Sequence, residues 1–499
     1  MFSKKVLSIV VALCTVVSMV CLSSTVVYSD SALLDTSMVD DLFDIKADGK
    51  VKGNGTNEAD AIRSAIDKAV DAGKGSVYFP AGTYYVNSYV ATGNKVDLVF
   101  AKGAVIKVGP SGRLVFNCGI VAGDHQIFNV QSGGKVSGTP TTVVGNPMWF
   151  GAKGDGVTDD TDAIQRTVDL FTHVNFPYTS KGYLTKGFKI TRNTLVEGAN
   201  REKNVKLIAA AGTQKLITVK SSNVQMYCFD LELAKAPSAT GLYFDTSSAG
   251  SEQNRFVNFN IYNAKNAVKD SGQNMVITTE FEKFRCYKGN GTAFVCNNMW
   301  GFMYLTDIVI DYSQSTTRMS FPAITVRNNA GMILTDVEII GNSNCTTGAD
   351  GIYTNESQAM WFQHCTVKKI GGSAFRNTGN TNWHIYYYDC HAENTDLYGF
   401  DYVGGGWAQF SKCSVTGGKG MSLSGSGMQL TDVTVSGSKT NGITSSGDFS
   451  VFTDITLNNN SGNGIRSSGN SCSLINITGS NNSSALTNVS GSGSNVCTY

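Results

Sequence analysis

Asp432-Val433-Thr434-Val435 and Asp454-Ile455-Thr456-Leu457 carry the same order: acid, apolar, polar, apolar. An apolar residue on each side of a polar one is the alternation of a strand with one buried face. Traced toward the N-terminus, the triplet recurs every ~20–30 residues, a period that belongs to solenoids. Its first apolar position reads Phe229, Phe259, Phe284, Ile308, Val337, Cys365, Cys390, Cys413, Val433, Ile455 and Ile475. Its second reads Leu231, Ile261, Cys286, Ile310, Ile339, Val367, Ala392, Val415, Val435, Leu457 and Ile477. The residue between them is mostly polar, as at Asn260, Arg285, Glu338, Thr366, His391, Ser414 and Thr456. A further strand in each coil opens on a small-apolar step, seen at Gly241-Leu242, Ala267-Val268, Gly351-Ile352, Ala374-Phe375, Gly399-Phe400, Gly442-Ile443 and Gly464-Ile465. Short strands repeated at this period stack as a right-handed parallel β-helix, a single-stranded solenoid. Each coil lies ~4.8 Å above the last, and the chain is all-β apart from short helices.

Composition agrees. The 499 residues include 54 Gly and only 7 Pro, which suits many turns and short strands. Lys and Arg total 40 against 39 Asp and Glu, a net charge of +1, which argues against nucleic acid as a partner. Lys4 and Lys5, the apolar run Val6 to Val20, and Val27-Tyr28-Ser29 read as a secretory signal over 1–29, with a retained membrane anchor as the alternative. The mature chain is then expected to be secreted and extracellular, with no stable membrane span after signal cleavage. Of 12 cysteines, Cys14 and Cys21 leave with the signal. Cys365, Cys390 and Cys413 occupy one inward row, as a stack of buried thiols or as a disulfide between neighbouring coils. There is no C-x-x-C pair, so no metal site is expected.

Two entry modules precede the ladder. Phe43-Asp44-Ile45-Lys46-Ala47-Asp48-Gly49 leads to Ala61, Ile62, Ala65, Ile66, Ala69 and Val70 at helical spacing. Phe150-Gly151-Ala152-Lys153-Gly154-Asp155-Gly156 leads likewise to Ala163, Ile164, Thr167, Val168 and Phe171, with Thr158 expected as the helix N-cap and Asp159 and Asp160 in its first turn. Each helix feeds a strand and covers an open end of the sheet. The divisions read are a signal at 1–29, an entry module at 30–145, a main β-helix with a polysaccharide groove at 146–415, and Gly/Ser/Asn-rich coils at 416–499.

Trp149 to Gln165, W-F-G-A-K-G-D-G-V-T-D-D-T-D-A-I-Q, resembles the N-terminal signature of pectate-lyase-superfamily β-helix proteins. That group includes polygalacturonase and rhamnogalacturonase relatives and phage tailspike depolymerases. The stretch Gly119 to Phe128 is similar to what precedes the signature in tailspike-like members. The resemblance covers about 149–499 and implies the fold, a polysaccharide partner, and either a monomer or a homotrimer. It carries one site residue across. Gly348-Ala349-Asp350-Gly351-Ile352 matches the Asp-Gly-Ile of the polygalacturonase pattern N-T-D-G-I. The family's Asp pair on the next coil, its Gly-His-Gly and its Arg-x-Lys are absent.

Solenoid faces suit linear polymers, which aromatic rings hold and paired carboxylates cut. Both residue types concentrate between about 345 and 410. Tyr353, Arg376 and Asp401 fall on one outward row, so Asp350 and Asp401 lie about two coil steps apart, roughly 10 Å between backbones. That separation suits an inverting pair, one carboxyl as general acid and the other activating water, with Arg376 between them holding a substrate carboxylate. Glu356, Asp396 and Glu393 are reserve carboxylates. Trp361, Trp383, Tyr398, Trp407 and His391 complete the substrate-binding set. Of Tyr386, Tyr387 and Tyr388, alternation must turn one inward. The regular acids Asp307, Asp336, Asp389, Asp432 and Asp454 read as structural. The expected function is cleavage of glycosidic bonds in an acidic, pectin-like or capsular polymer, by hydrolysis ahead of β-elimination. No cofactor is expected, except calcium for a lyase. An epimerase and a non-catalytic, tailspike-like carbohydrate binder are the other readings.

Overall fold

A computed structural model describes residues 42–141, 144–198, 203–297, 300–380 and 383–497. The signal-like segment lies outside them. All the strand pairs that build the two main sheets are parallel, and each joins equivalent residues of successive coils. Residues 42–137 form three small sheets of four, four and three strands. From Asp155 onward the chain builds one 20-stranded sheet, the long sheet, and one 13-stranded sheet, the short sheet. The body is therefore a parallel β-solenoid, with two α-helices among the described residues, α1 (Ala59–Asp71) and α2 (Thr161–Leu170).

The predicted rows coincide with the observed register. Phe229, Phe259, Phe284, Ile308 and Val337 pair in series, as do Leu231 through Leu457. The coil that carries Ile475 differs. Ile455 pairs with Ile477 and Leu457 with Gly479, so Ile475 does not belong to the first row. Ile475 is 40 % exposed and Ile477 1 %.

The residue before each first-row position, often an Asp, has a backbone reason for its identity. Cys228, Asn258, Lys283, Asp307, Asp336, His364, Asp389, Lys412, Asp432, Asp454 and Asn476 all take positive φ, between 51° and 68°. A left-handed residue within a strand inserts one position and resets the alternation. Met226 and Phe229 consequently both face inward although they are three residues apart. Asp and Asn tolerate this region better than other side chains, which accounts for their repetition. On the coils from Gln225–Glu232 to Ser473–Ser480 the kink divides the long-sheet strand into two segments.

Inside, equivalent rings stack at the coil spacing. Phe362 lies 4.7 Å from Tyr387, Tyr387 4.8 Å from Phe410, and Phe375 4.8 Å from Phe400, all within 11° of parallel. Tyr387 is the inward member of its triplet, while Tyr388 is exposed. Cys365, Cys390 and Cys413 are unbridged and buried. Their thiols face the carbonyls of Leu334, Phe362 and Tyr387 at 3.4–3.6 Å. Burial pushes the Cys390 and Cys413 thiols well up, so they remain protonated.

The two entry modules share one device. Glu58 precedes α1 and accepts the backbone N–H groups of Lys52 and Gly53. Asp160 precedes α2 and accepts those of Lys153 and Gly154 at 2.7 and 3.0 Å. Each carboxylate ties its loop down instead of capping its helix. The helix starts at Thr161, later than Thr158 suggested, because Asp155–Asp159 is a strand paired with Gly182–Thr185.

Candidate functional site

Asp350 ends the loop that follows the long-sheet strand Ala330–Ile340 and precedes the short-sheet strand Ile352–Asn355. Its Oδ1 accepts the Ser373 N–H at 2.8 Å. That approach requires glycine at 372, where a Cβ would stand 2.3 Å from the same oxygen. Tyr353, Arg376 and Asp401 are in register on successive strands, on one outward row. Arg376 Nη1 lies 3.5 Å from Asp350 Oδ2, and Arg376 Nε lies 3.4 Å from Asp401 Oδ2. Both distances exceed the ~2.7–2.9 Å of a charge-assisted hydrogen bond, so the attraction is mainly Coulombic.

The side chains of Asp350 and Asp401 are 4 % and 11 % exposed, against 37 % for Arg376. Burial raises the Asp350 carboxyl above the usual range, while the Ser373 N–H and Arg376 oppose the rise. Burial also raises Asp401. Arg376 opposes that shift and the Asp350 charge adds to it. Two carboxyls raised by burial around one guanidinium are suited to exchanging protons with a bound substrate. Arg376 thus lies between the two carboxylates and within ion-pair distance of both.

Tyr353 extends the row. Its hydroxyl accepts from Thr378 Oγ1 at 2.9 Å, and the Arg327 guanidinium lies 5.9 Å from its ring centre. The other candidates are elsewhere. Glu356 lies beyond the far end of the strand at φ 48°, accepting the Asn380 N–H. Asp396 is exposed in the turn after His391–Glu393, where it lines a cleft of about 430 Å³ with Asn342, Lys369 and Asn394. Tyr398 is half-buried in that turn. Glu393 pairs in register with Lys368.

The aromatic residues form their own group on the long sheet. Trp361 and Tyr386 are in register and stack with centroids 5.6 Å apart and planes 2° from parallel. Trp407 meets Tyr386 edge-on at 5.2 Å. The row continues to Ile333 and Tyr304, which sequence reasoning left out, although they occupy the matching place before the left-handed residues Asp336 and Asp307. Trp383 is 52 % exposed, just ahead of His384. His391 lies past the kink, on the second long-sheet segment, with Ser414 Oγ 2.7 Å from its Nδ1.

The structure thus gathers Asp350, Arg376, Asp401 and Tyr353 on the short sheet. It gathers Trp361 and Tyr386 on the first long-sheet segment, with Trp407 just ahead of the strand Ala408–Ser411 on the next coil. The two groups lie on different strands, Phe375–Thr378 of one sheet and Ile385–Tyr388 of the other. A further carboxylate, Asp270, went unnoticed in the sequence. It is 2 % exposed at the end of a short-sheet strand, and burial pushes it up to about 7.

No family model matches the chain, and no curated protein matches it. Solved structures resemble it at low identity. A tailspike of an Acinetobacter phage is 9 % identical with a TM-score of 0.42, over 72 % of this chain and 63 % of that one. A family 28 exopolygalacturonase of Yersinia enterocolitica is 11 % identical with a TM-score of 0.21, over 83 % and 75 %. A putative glycosyl hydrolase of Parabacteroides merdae is 14 % identical with a TM-score of 0.29, over 45 % of this chain and 96 % of that one.

Proposed function

We propose that this protein binds a linear acidic polysaccharide along its solenoid axis and hydrolyses its glycosidic bonds. The observation that carries the proposal is the Asp350–Arg376–Asp401 arrangement, two raised carboxyls flanking one cation on an outward strand row. In this reading Asp350, the more buried carboxyl, is the general acid and protonates the leaving oxygen. Asp401 draws a proton from the attacking water. A uronate carboxylate competes for Arg376, whose present contacts are long enough to exchange. The row from Tyr304 to Tyr386 holds a further stretch of chain through the outward ring edges and apolar surface, since coil spacing and sugar-ring spacing are both ~5 Å. The signal-like N-terminus agrees with action outside the cell.

A second reading, a non-catalytic carbohydrate binder, is favoured by the small exposure of Asp350 and by the neutralisation of both acids by Arg376. One assay separates the two. The chain is incubated with pectins, alginates and capsular polysaccharides, following new reducing ends and the ultraviolet absorbance of unsaturated uronates. Hydrolysis gives reducing ends without absorbance. Asp350→Asn and Asp401→Asn each lower the rate by about 100-fold or more. Wild-type rates in both variants overturn this assignment. Polymer retention without new ends supports the binder.

A further inference from the structure

Past the kink, the outward row of the second long-sheet segment reads Thr366, His391, Ser414 and Thr434 on successive coils. In this run the one serine stands beside the one histidine. Ser414 Oγ lies 2.7 Å from His391 Nδ1. The other ring nitrogen, Nε2, lies 3.2 Å from Asp389 Oδ1. Asp389 is held in turn by the left-handed kink, and its Oδ2 lies 3.8 Å from His364 Nε2, while His364 Nδ1 lies 3.4 Å from Asp336. A hydroxyl, an imidazole and a carboxylate are thus connected in the order a serine nucleophile requires. Constellations of this type are recognised by geometry and roles, not by fold or chain order.

We propose that Ser414, His391 and Asp389 form a second catalytic centre, which hydrolyses carboxylic esters such as the O-acyl substituents of a polymer lying along this face. His391 Nδ1 takes the Ser414 hydroxyl proton as Oγ bonds to the acyl carbon. The imidazolium is stabilised by Asp389 through Nε2–H. Nδ1–H then protonates the alcohol oxygen as the ester C–O bond breaks. Water, deprotonated by the same Nδ1, attacks the acyl-serine, releasing the carboxylic acid and restoring the hydroxyl. No other reactant enters.

The charge that develops on the acyl oxygen falls to side chains. The backbone N–H groups of Ser414 and His391 are engaged with the Cys390 and Cys365 carbonyls at 3.0 and 2.8 Å. Lys412, at the kink two residues before Ser414, has its ammonium 3.2 Å from the Tyr388 hydroxyl and supplies positive charge on this stretch of the face. The His391 and Asp389 side chains are 35 % and 42 % exposed, so an ester on an extended chain reaches them without a pocket.

The test uses the full chain and two probes, a fluorophosphonate and 4-nitrophenyl acetate. Peptide mass spectrometry is expected to find the phosphonyl adduct on Ser414 of the wild type and to lose it in His391→Gln. Acetate release is expected to fall about 100-fold or more in Ser414→Ala, with an unchanged melting temperature showing that the variant folds. Asp389→Asn is expected to lower the rate and shift its pH profile, which a merely structural Asp389 would not do. The absence of an adduct on Ser414, or wild-type ester hydrolysis in folded Ser414→Ala, overturns the proposal. Because the readout is acyl release and not reducing ends, it stands or falls independently of glycosidic cleavage.

Discussion

Arg376 lies one coil step from Asp401, with its Nε 3.4 Å from the carboxylate, and its other arm reaches Asp350 at 3.5 Å. One cation therefore compensates two carboxylates that burial raises above their ordinary range. An acid whose folded-state pKa is raised destabilises the fold when ionised. The penalty is complete above the folded pKa and disappears as the pH falls toward the unfolded value. Arg376→Met removes the compensation. It is expected to cost about 3 kcal/mol at pH 8, at the lower end for a broken pair because the guanidinium is more than a third exposed. The loss should shrink at pH 5 as the carboxyls take up protons. Urea unfolding at the two pH values checks this, and an equal loss at both would show that the carboxylates are not the cause.

Asp270 isolates the same effect. Burial pushes it up to about 7, although the Asn297 N–H donates to its Oδ2 at 2.7 Å. In the unfolded chain its pKa is near 3.8. Between these values the folded state holds the extra proton, so the stability contributed through this residue falls as the pH rises from about 4 to 7. The expected loss across that window is on the order of a few kcal/mol. In Asp270→Asn this part of the pH dependence is absent. Subtracting the variant's melting curve from that of the wild type, pH by pH, measures it.

The left-handed column makes a third prediction. Asp432 is an exposed residue at φ 56°. Asp432→Val places a β-branched side chain in that region and is expected to cost about 1–2 kcal/mol. Asp432→Gly removes the Cβ and is expected to stay within about 0.5 kcal/mol of the wild type. Equal losses in the two, by denaturant unfolding, would assign the role of the acid to its charge and not to its backbone.

That column also explains what could be read in advance. The inward rows were legible because two apolar residues flank a polar one on nearly every coil, and burial demands that pattern wherever strands stack. Reading failed at the coil where Ile475 and Ile477 flank Asn476 and the next inward place is Gly479. With apolar residues on both sides, hydropathy gives no register. The backbone does, since Asn476 is left-handed and marks Ile477 as the first inward residue, as Asp454 marks Ile455. At the site, alternation put Tyr353, Arg376 and Asp401 on one row correctly. It was silent about which turn each aromatic residue borders, so the tryptophans and the carboxylates were merged into one groove. Asp270 escaped notice because its row is otherwise apolar around it, with Phe244 on the preceding coil.

Trp361 and Tyr386 give the prediction closest to the proposed function. Their parallel stack is half-buried on the outer face, where the ring edges turned away from the core contribute little to folding. A sugar chain running along the coils would meet those edges, and one aromatic contact of this kind is worth ~1 kcal/mol or somewhat more. Trp361→Ala and Tyr386→Ala are each expected to weaken polysaccharide binding by about fivefold to tenfold. Melting temperatures should move by only a few degrees. Because the rings share one stack, the double variant is expected to lose less than the product of the single losses. Affinity electrophoresis in gels containing each polymer measures all three. Unchanged mobility shifts in the double variant would remove this row from the binding surface and leave polymer contact to the short-sheet row that holds Tyr353 and Arg376.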